Sequence, residues 1–244
     1  MDCDLIVFDM GGTITDFQST WTPIIRRRIE LLVLRYGERF REQFLNTIGL
    51  EPSSWKADLS GPFMLLAEEK LIFVLAMVLY ENGIAWPRAV ESVKDCYQQT
   101  NREINRLELV RLIPGIDSTL RKFKGLGLSL AIATMEKRSD THLELGKFGI
   151  LDLFDAIVTV DDVGKHKPDP EMIFEVCNTL KIVPERAIMV GDTPADLIMG
   201  KRAGVVATVA LTGNPTTEIQ SLADAVITTY SEISAVDPKN NLKT

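Results

Sequence analysis

Asp9, Thr134, Lys167, Asp192 and Asp196 are of types that, brought together, could hold and attack a phosphate. Two or more carboxylates can bind a hard divalent cation through oxygen. A lysine and a hydroxyl can hold a phosphate. Cation and lysine together would neutralise charge as a phosphoryl group transfers. An aspartate beside them could attack phosphorus directly. Each residue also has a plain reading. Asp9 could be a polar strand end that caps a turn, and Thr134 a hydroxyl satisfying backbone. Lys167, before Pro168, could be a surface-loop lysine. Asp192 and Asp196 could be helix N-terminal acids favoured by the dipole. Their joint order along the chain is what argues against coincidence.

That order depends on the elements in front of each residue. Asp9 follows four apolar residues, Leu5–Phe8, which read as a buried strand, and precedes the pair Gly11-Gly12. A carboxylate ending a buried strand is costly unless it has a partner or a task. Two glycines let the backbone bend sharply and approach a ligand closely. Further strands are expected over 128–133, 156–160, 187–190, 205–211 and 225–229. Helices are expected between them, over 116–123, 138–148, 171–180 and 194–204. Alternating strands and helices imply βαβ units and a parallel sheet. The second strand ends in Thr134, the fourth in Gly191-Asp192, and the loop after the third holds Lys167. In open α/β sheets ligands collect at the carboxyl ends of the strands. Asp192 and Asp196, four apart across a strand end and the first helical turn, can face one site.

Between Asp16 and Leu112 no β pattern occurs. Thr22-Pro23 can open a helix, with Ile24, Ile25, Ile29, Leu32, Val33 and Tyr36 on one face. Similar patterns cover 39–48, 63–80 and 87–109, and 49–60 reads as a loop. The expected organisation is a Rossmann-like parallel-sheet core, 1–16 plus 113–236, an inserted all-α domain, 17–112, and a polar frayed tail, 237–244. The crossings near 17–21 and 112–114 would be hinges.

Composition narrows the function classes. The net charge of -7 argues against phosphate-backbone binding, so no nucleic-acid partner is expected. The run Arg26-Arg27-Arg28 lies in a helical pattern and reads as a solvated face. Cys3, Cys96 and Cys177 have no paired spacing, which fits reduced thiols in a cytoplasmic protein. The N-terminus has no signal-peptide pattern. The longest apolar run, 71–80, is too short to span a bilayer and reads as a buried helix, so no membrane association is expected. That helix could also form a partner surface, which leaves monomer and homodimer both open.

Together the motifs resemble those of the haloacid dehalogenase superfamily of hydrolases over nearly the whole chain. FDMGGTITD matches the first motif and LAIATM the second. GKHKPDPEM matches the third, with Lys167 preferred over Lys165, and VGDTPAD matches the fourth. The resemblance implies Asp9 as nucleophile and Lys167 as the catalytic lysine. It implies phosphate contacts from Gly12, Thr13, Thr134 and Lys167. It implies Mg²⁺ on Asp9, the Gly11 backbone carbonyl, Asp192 and Asp196. The helical insert looks like the family's helical cap, which closes over the site and selects the substrate.

One position departs from the pattern. Family phosphatases carry a second aspartate two residues after the nucleophile, as general acid and base. Here that position is Gly11. Proton transfer of this kind contributes ~10²–10⁴-fold in rate. The resemblance then implies an Mg²⁺-dependent phosphatase acting on a small phosphorylated metabolite through an aspartyl-phosphate. A second reading is a phosphonoacetaldehyde-hydrolase-like enzyme that takes a phosphonate and uses a cap lysine, for which Lys56, Lys70 and Lys94 are available. A third is a protein that binds a phosphorylated ligand with little turnover. Dehalogenase activity fits worst, because the acid pair at 192 and 196 has little purpose without a cation.

Overall fold

The computed structural model describes residues 3–58 and 61–234. The expected tail from Asp237, the last two residues of the 49–60 loop, and the first two residues of the chain lie outside the described residues. The chain forms two compact units, Met1–Phe17 with Val110–Thr244, and Gln18–Leu109.

The first unit is built on a six-stranded sheet: β1 (Leu5–Phe8), β2 (Ser129–Ala133), β3 (Ala156–Val158), β4 (Ala187–Gly191), β5 (Ala207–Leu211) and β6 (Ala225–Ile227). The order is β3-β2-β1-β4-β5-β6, and every pairing is parallel. Strands buried on both faces read as continuous apolar runs, which is why the sequence locates them. Alternate residues of β1 feed two separate cores. Ile6 and Phe8 join Leu130, Ile132, Ile188, Val190 and Val209 on one face. Leu5 and Val7 join Ala131, Ala133, Ala187 and Met189 on the other. A fully buried side chain of this size contributes about 1.5–3 kcal/mol. The order reverses between β1 and β4, the kind of switch point at which ligands of open α/β sheets gather at the carboxyl ends of the strands. Asp9 directly follows β1, and Asp192 directly follows β4.

The second unit is helical. Its elements are α1 (Phe17–Tyr36, whose first residue belongs to the sheet unit), α2 (Arg41–Ile48), α3 (Pro62–Leu65), α4 (Glu68–Glu81), α5 (Trp86–Glu103) and α6 (Arg106–Leu109). Three expectations are corrected here. First, α1 begins at Phe17 and runs through Pro23 instead of starting at Thr22-Pro23; Ile24, Ile25, Ile29 and Leu32, buried on its face, hold the helix across the missing N–H. Second, the span 63–80 breaks at Leu66 and Ala67, both extended, and restarts with Glu68 and Glu69 in the first turn, where the dipole favours acids. The span 87–109 breaks likewise at Ile104, and the Asn105 side chain accepts from Leu107 N–H at 3.2 Å to open α6. Third, the three arginines divide. Arg26 is exposed and Arg27 half-buried, but Arg28 is buried among α4 and α5 side chains. Helix α4 also exposes Phe73, Met77 and Tyr80 on its outer face; Phe73 and Tyr80 pack on Trp86.

The remaining helices of the sheet unit are α7 (Ile116–Gly125), α8 (Arg138–Lys147), α9 (Glu171–Leu180), α10 (Pro194–Ala203), α11 (Thr217–Leu222) and α12 (Tyr230–Ser234). The last two were not expected from the sequence. Both are shorter than two turns; α11 is opened by Thr216, whose hydroxyl accepts from Ile219 N–H.

Candidate active site

The loop after β1 folds back on itself. Ile14 and Thr15 N–H both donate to Met10 O, at 2.8 and 2.9 Å, and Gly12 N–H donates to Thr15 O at 2.7 Å. Thr13 N–H reaches Met10 O only at 3.4 Å. Gly12 has φ +86, which favours glycine. A Cβ there would also lie 2.1 Å from Asp192 Oδ2. Glycine at 12 is therefore what lets the Asp192 carboxylate press against this loop. Asp9 N–H donates to Val190 O at 2.9 Å, which ties the start of the loop to β4.

Lys167 is the centre of the cluster. Its Nζ donates to Asp9 Oδ1 at 2.5 Å and to Asp196 Oδ1 at 2.6 Å, and its side chain is only 5% exposed. Asp196 uses its other oxygen on Thr193, accepting from the backbone N–H at 3.1 Å and the hydroxyl at 2.6 Å. That pairing is the capping box of α10, so the helix start fixes the anion that fixes the lysine. A Cβ on Gly191 would lie 2.3 Å from Asp196 Cβ, a second place where glycine makes room for an acid. Thr13 Oγ1 donates to Asp192 Oδ1 at 3.4 Å. Carboxylate oxygens of Asp9, Asp192 and Asp196 all lie within 4.8 Å of one another.

Two buried carboxylates, Asp9 and Asp196, thus share one ammonium, with the half-buried Asp192 carboxylate beside them. Burial pushes Asp9 up to about 7, with Lys167 opposing and Asp196 adding to the rise. Burial, then Asp9 and Asp196, push Asp192 well above the usual carboxylate range, with Lys167 again opposing. Burial works against the charge of Lys167, but Asp196 and Asp9 outweigh it and hold its pKa above that of an ordinary lysine. The excess of negative charge on clustered oxygens is the chemistry a hard divalent cation satisfies. The donor set fits Mg²⁺ on those grounds.

Thr134, buried, stands at the end of β2, where its N–H donates to Val158 O at 3.0 Å and its Oγ1 accepts from Glu136 N–H at 3.1 Å. Lys165 lies apart from the cluster, exposed and 3.7 Å from Asp169. Lys56, Lys70 and Lys94 are exposed on the helical unit. In that unit Arg26 lies over the ring of Trp55 at 4.8 Å. Two residues of this region escaped the sequence reading. Tyr230, fully buried in α12, donates its hydroxyl to Thr13 O at 2.8 Å. Glu136, half-buried, places Oε1 3.7 Å from where a Cβ on Gly11 would stand. No local pattern marks either one, because both act across the fold.

A doubly wound parallel sheet with an acid–lysine cluster at its switch point defines an α/β protein of the kind whose ligands gather at the carboxyl ends of the strands. Residues 6–210 match the model of the haloacid dehalogenase-like hydrolases, and the chain belongs to that family. Among curated proteins it is 36% identical over 206 residues to a pyrophosphatase PpaX of Bacillus cereus, covering 84% of this chain and 81% of that one. It is 31% identical over 121 residues to a validoxylamine A 7'-phosphate phosphatase of Streptomyces hygroscopicus, a match spanning 50% of this chain and 56% of that protein. Among solved structures, a predicted phosphoglycolate phosphatase from Haemophilus somnus superposes with a TM-score of 0.70 at 20% identity, covering 96% of this chain and 98% of that one. At that identity the likeness is one of fold. Among the described residues no helix is long and apolar enough to cross a membrane.

Proposed function

We propose that the protein is an Mg²⁺-dependent phosphatase acting on a small phosphorylated metabolite through an aspartyl-phosphate on Asp9. The observation that carries this reading is Lys167, fixed between Asp9 and Asp196 in a cluster with more acids than bases. Asp9, the Gly11 carbonyl and Asp192 would hold the ion, with Asp196 completing the acidic set. When bound, the ion supplies charge neutralisation at the phosphoryl oxygens and favours the ionised form of Asp9.

The remaining work falls to the chain's own groups. Lys167 stays protonated and offsets charge on the transferring group. Thr134 offers its hydroxyl proton to a phosphate oxygen, and Gly12 and Thr13 shape the turn on which the phosphate rests. Asp9 forms a bond to phosphorus as the leaving oxygen departs; water then attacks phosphorus and returns Asp9 to a carboxylate. The relatives are named for substrates as different as pyrophosphate and validoxylamine A 7'-phosphate, so the substrate class proposed is the small phosphate ester or anhydride. The phosphonate reading draws no support from Lys56, Lys70 or Lys94, all exposed.

The test is a screen of phosphorylated metabolites, pyrophosphate and phosphonates with Mg²⁺. Turnover of a phosphate ester or anhydride is expected with Mg²⁺ and lost in excess EDTA. Asp9→Asn should reduce it to background and prevent a hydroxylamine-sensitive phosphoenzyme. Undiminished turnover in EDTA, or an active Asp9→Asn variant, would overturn the reading.

A further inference from the structure

Asp9 accounts for bond formation at phosphorus, but hydrolysis also moves protons. A leaving alkoxide needs one, and the water that opens an aspartyl-phosphate must lose one. The groups already placed are ill suited to that exchange. Lys167 is bound to two carboxylates at 2.5 and 2.6 Å. Asp196 has Lys167 on one oxygen and Thr193 on the other. Asp192 is pressed against the Gly12 backbone. Position 11, two residues past the nucleophile, has no side chain.

The neighbouring strand brings a carboxyl to that place. β2 runs parallel to β1 with Val7 beside Ala131 and Phe8 beside Ile132. The loop after β2 therefore runs beside the loop after β1, and Glu136 reaches the flank of Gly11. A Cβ built on Gly11 would meet only Phe17 Cδ2 at 3.5 Å and Glu136 Oε1 at 3.7 Å, both ordinary contacts. The Glu136 backbone is fixed on both sides: its N–H donates to Thr134 Oγ1, and its carbonyl accepts from Val160 N–H at 3.4 Å. The carboxyl thus comes from the loop that also supplies the phosphate-binding threonine.

We infer that Glu136 is the general acid and base of the reaction, a catalytic residue delivered from the β2 loop to the space beside Gly11. The inference rests on the phosphatase reading above. As the bond from phosphorus to the leaving oxygen breaks and that from Asp9 forms, the Glu136 proton passes to the leaving oxygen. In the second step the Glu136 carboxylate takes a proton from water while the water oxygen bonds to phosphorus. The bond to Asp9 then breaks, inorganic phosphate leaves, and Glu136 is again an acid.

The near-isosteric Glu136→Gln keeps the shape and removes the proton exchange. With an alkyl phosphate, whose leaving oxygen needs a proton, kcat should fall by roughly 10²-fold or more. With p-nitrophenyl phosphate, whose leaving group needs none, the first turnover should stay fast. A burst of nitrophenolate and an accumulating phosphoenzyme should then precede slow steady-state release. Adding Gly11→Asp to Glu136→Gln should restore much of the lost kcat, since the contacts at position 11 admit a side chain. If Glu136→Gln misfolds, Glu136→Ala with added formate gives the same readout, as recovery of turnover by the small acid. Wild-type kcat on both substrates with no accumulation in a folded variant would overturn the assignment. So would formate that rescues nothing. An inactive Asp9→Asn beside a fully active Glu136→Gln would reject Glu136 alone, whereas an active Asp9→Asn would reject the phosphatase reading itself.

Discussion

Arg28 in the helical unit and Lys167 in the sheet unit are both buried cations, but their surroundings differ in kind. Arg28 donates to Glu68 Oε2 at 2.9 Å and Asn101 Oδ1 at 3.1 Å, and lies 3.8 Å over the ring of Tyr97. One guanidinium meets one carboxylate, one amide oxygen and one π-face, and its side chain is 4% exposed. The charges cancel, and α1, α4 and α5 are tied together by the network. Lys167 meets two carboxylates, with a third, Asp192, close by. Here the charges do not cancel. A charge-balanced pair needs no further counter-ion, whereas an unbalanced cluster gains from a ligand of opposite charge. The difference in counter-charge, more than burial itself, separates a cation satisfied within the fold from one in a cluster that favours a further ligand.

Removing one of the surplus acids is the strongest test of that contrast. Asp192→Asn should abolish turnover and any rise in Tm on adding Mg²⁺. In EDTA above pH 7 the same variant should melt about 2–4 °C or more above wild type, since relief of about 1 kcal/mol shifts a domain of this size by that amount. The sign follows from linkage. Asp9 and Asp192 bind protons more tightly folded than unfolded, so metal-free stability falls as pH rises. For Asp9 the loss spans the window from its unfolded value near 3.8 to its folded value of about 7. Differential scanning fluorimetry with and without Mg²⁺ measures both effects. A metal-free wild type whose Tm is flat or rising across that window would break the contrast.

Arg28→Met tests the balanced side. Breaking a buried pair costs about 3–5 kcal/mol, and half-exposed Glu68 reduces this to about 2 kcal/mol. A fall in Tm of about 4–8 °C is expected, with the Mg²⁺-dependent rise retained. A variant as stable as wild type would show that the network contributes nothing net.

The sheet was legible because its strands are covered on both faces and so read as uninterrupted apolar runs between turn residues. Asp9, Lys167 and Asp196 were legible for a related reason. Parallel strands put their carboxyl ends on one edge, so residues far apart in the chain could be assigned to one place before any distance was known. What failed to show depends on contacts across the fold. Arg28 stands in a run of three arginines that looks solvated, and only Glu68, Asn101 and Tyr97 distinguish it from Arg26. The break at Ala67 lies inside a string of good helix formers, and that at Ile104 inside a span whose apolar residues keep helical spacing. Glu136 follows a threonine singled out for its own sake. Tyr230 sits in a helix too short for periodicity to reveal.

Tyr230 also bears on how the unbalanced cluster is held. Its hydroxyl is the donor to Thr13 O, and Thr13 in turn donates to Asp192. Burial, then Asp192 and Asp9, push the phenol well above its ordinary pKa, so it remains a neutral donor. The cluster is thus supported from beneath by a group that adds no charge to it. Tyr230→Phe keeps the packing and removes one buried hydrogen bond, which leaves the Thr13 carbonyl without that donor. The expected cost is about 1 kcal/mol, or about 2–4 °C in Tm. If the hydroxyl also positions the loop, kcat with Mg²⁺ should fall several-fold while KM changes little, because Asp9 shares that loop. A lowered Tm with wild-type kcat would confine Tyr230 to the scaffold. An unchanged Tm would mean that the Thr13 carbonyl finds another donor, and that the charged groups hold this loop without neutral support.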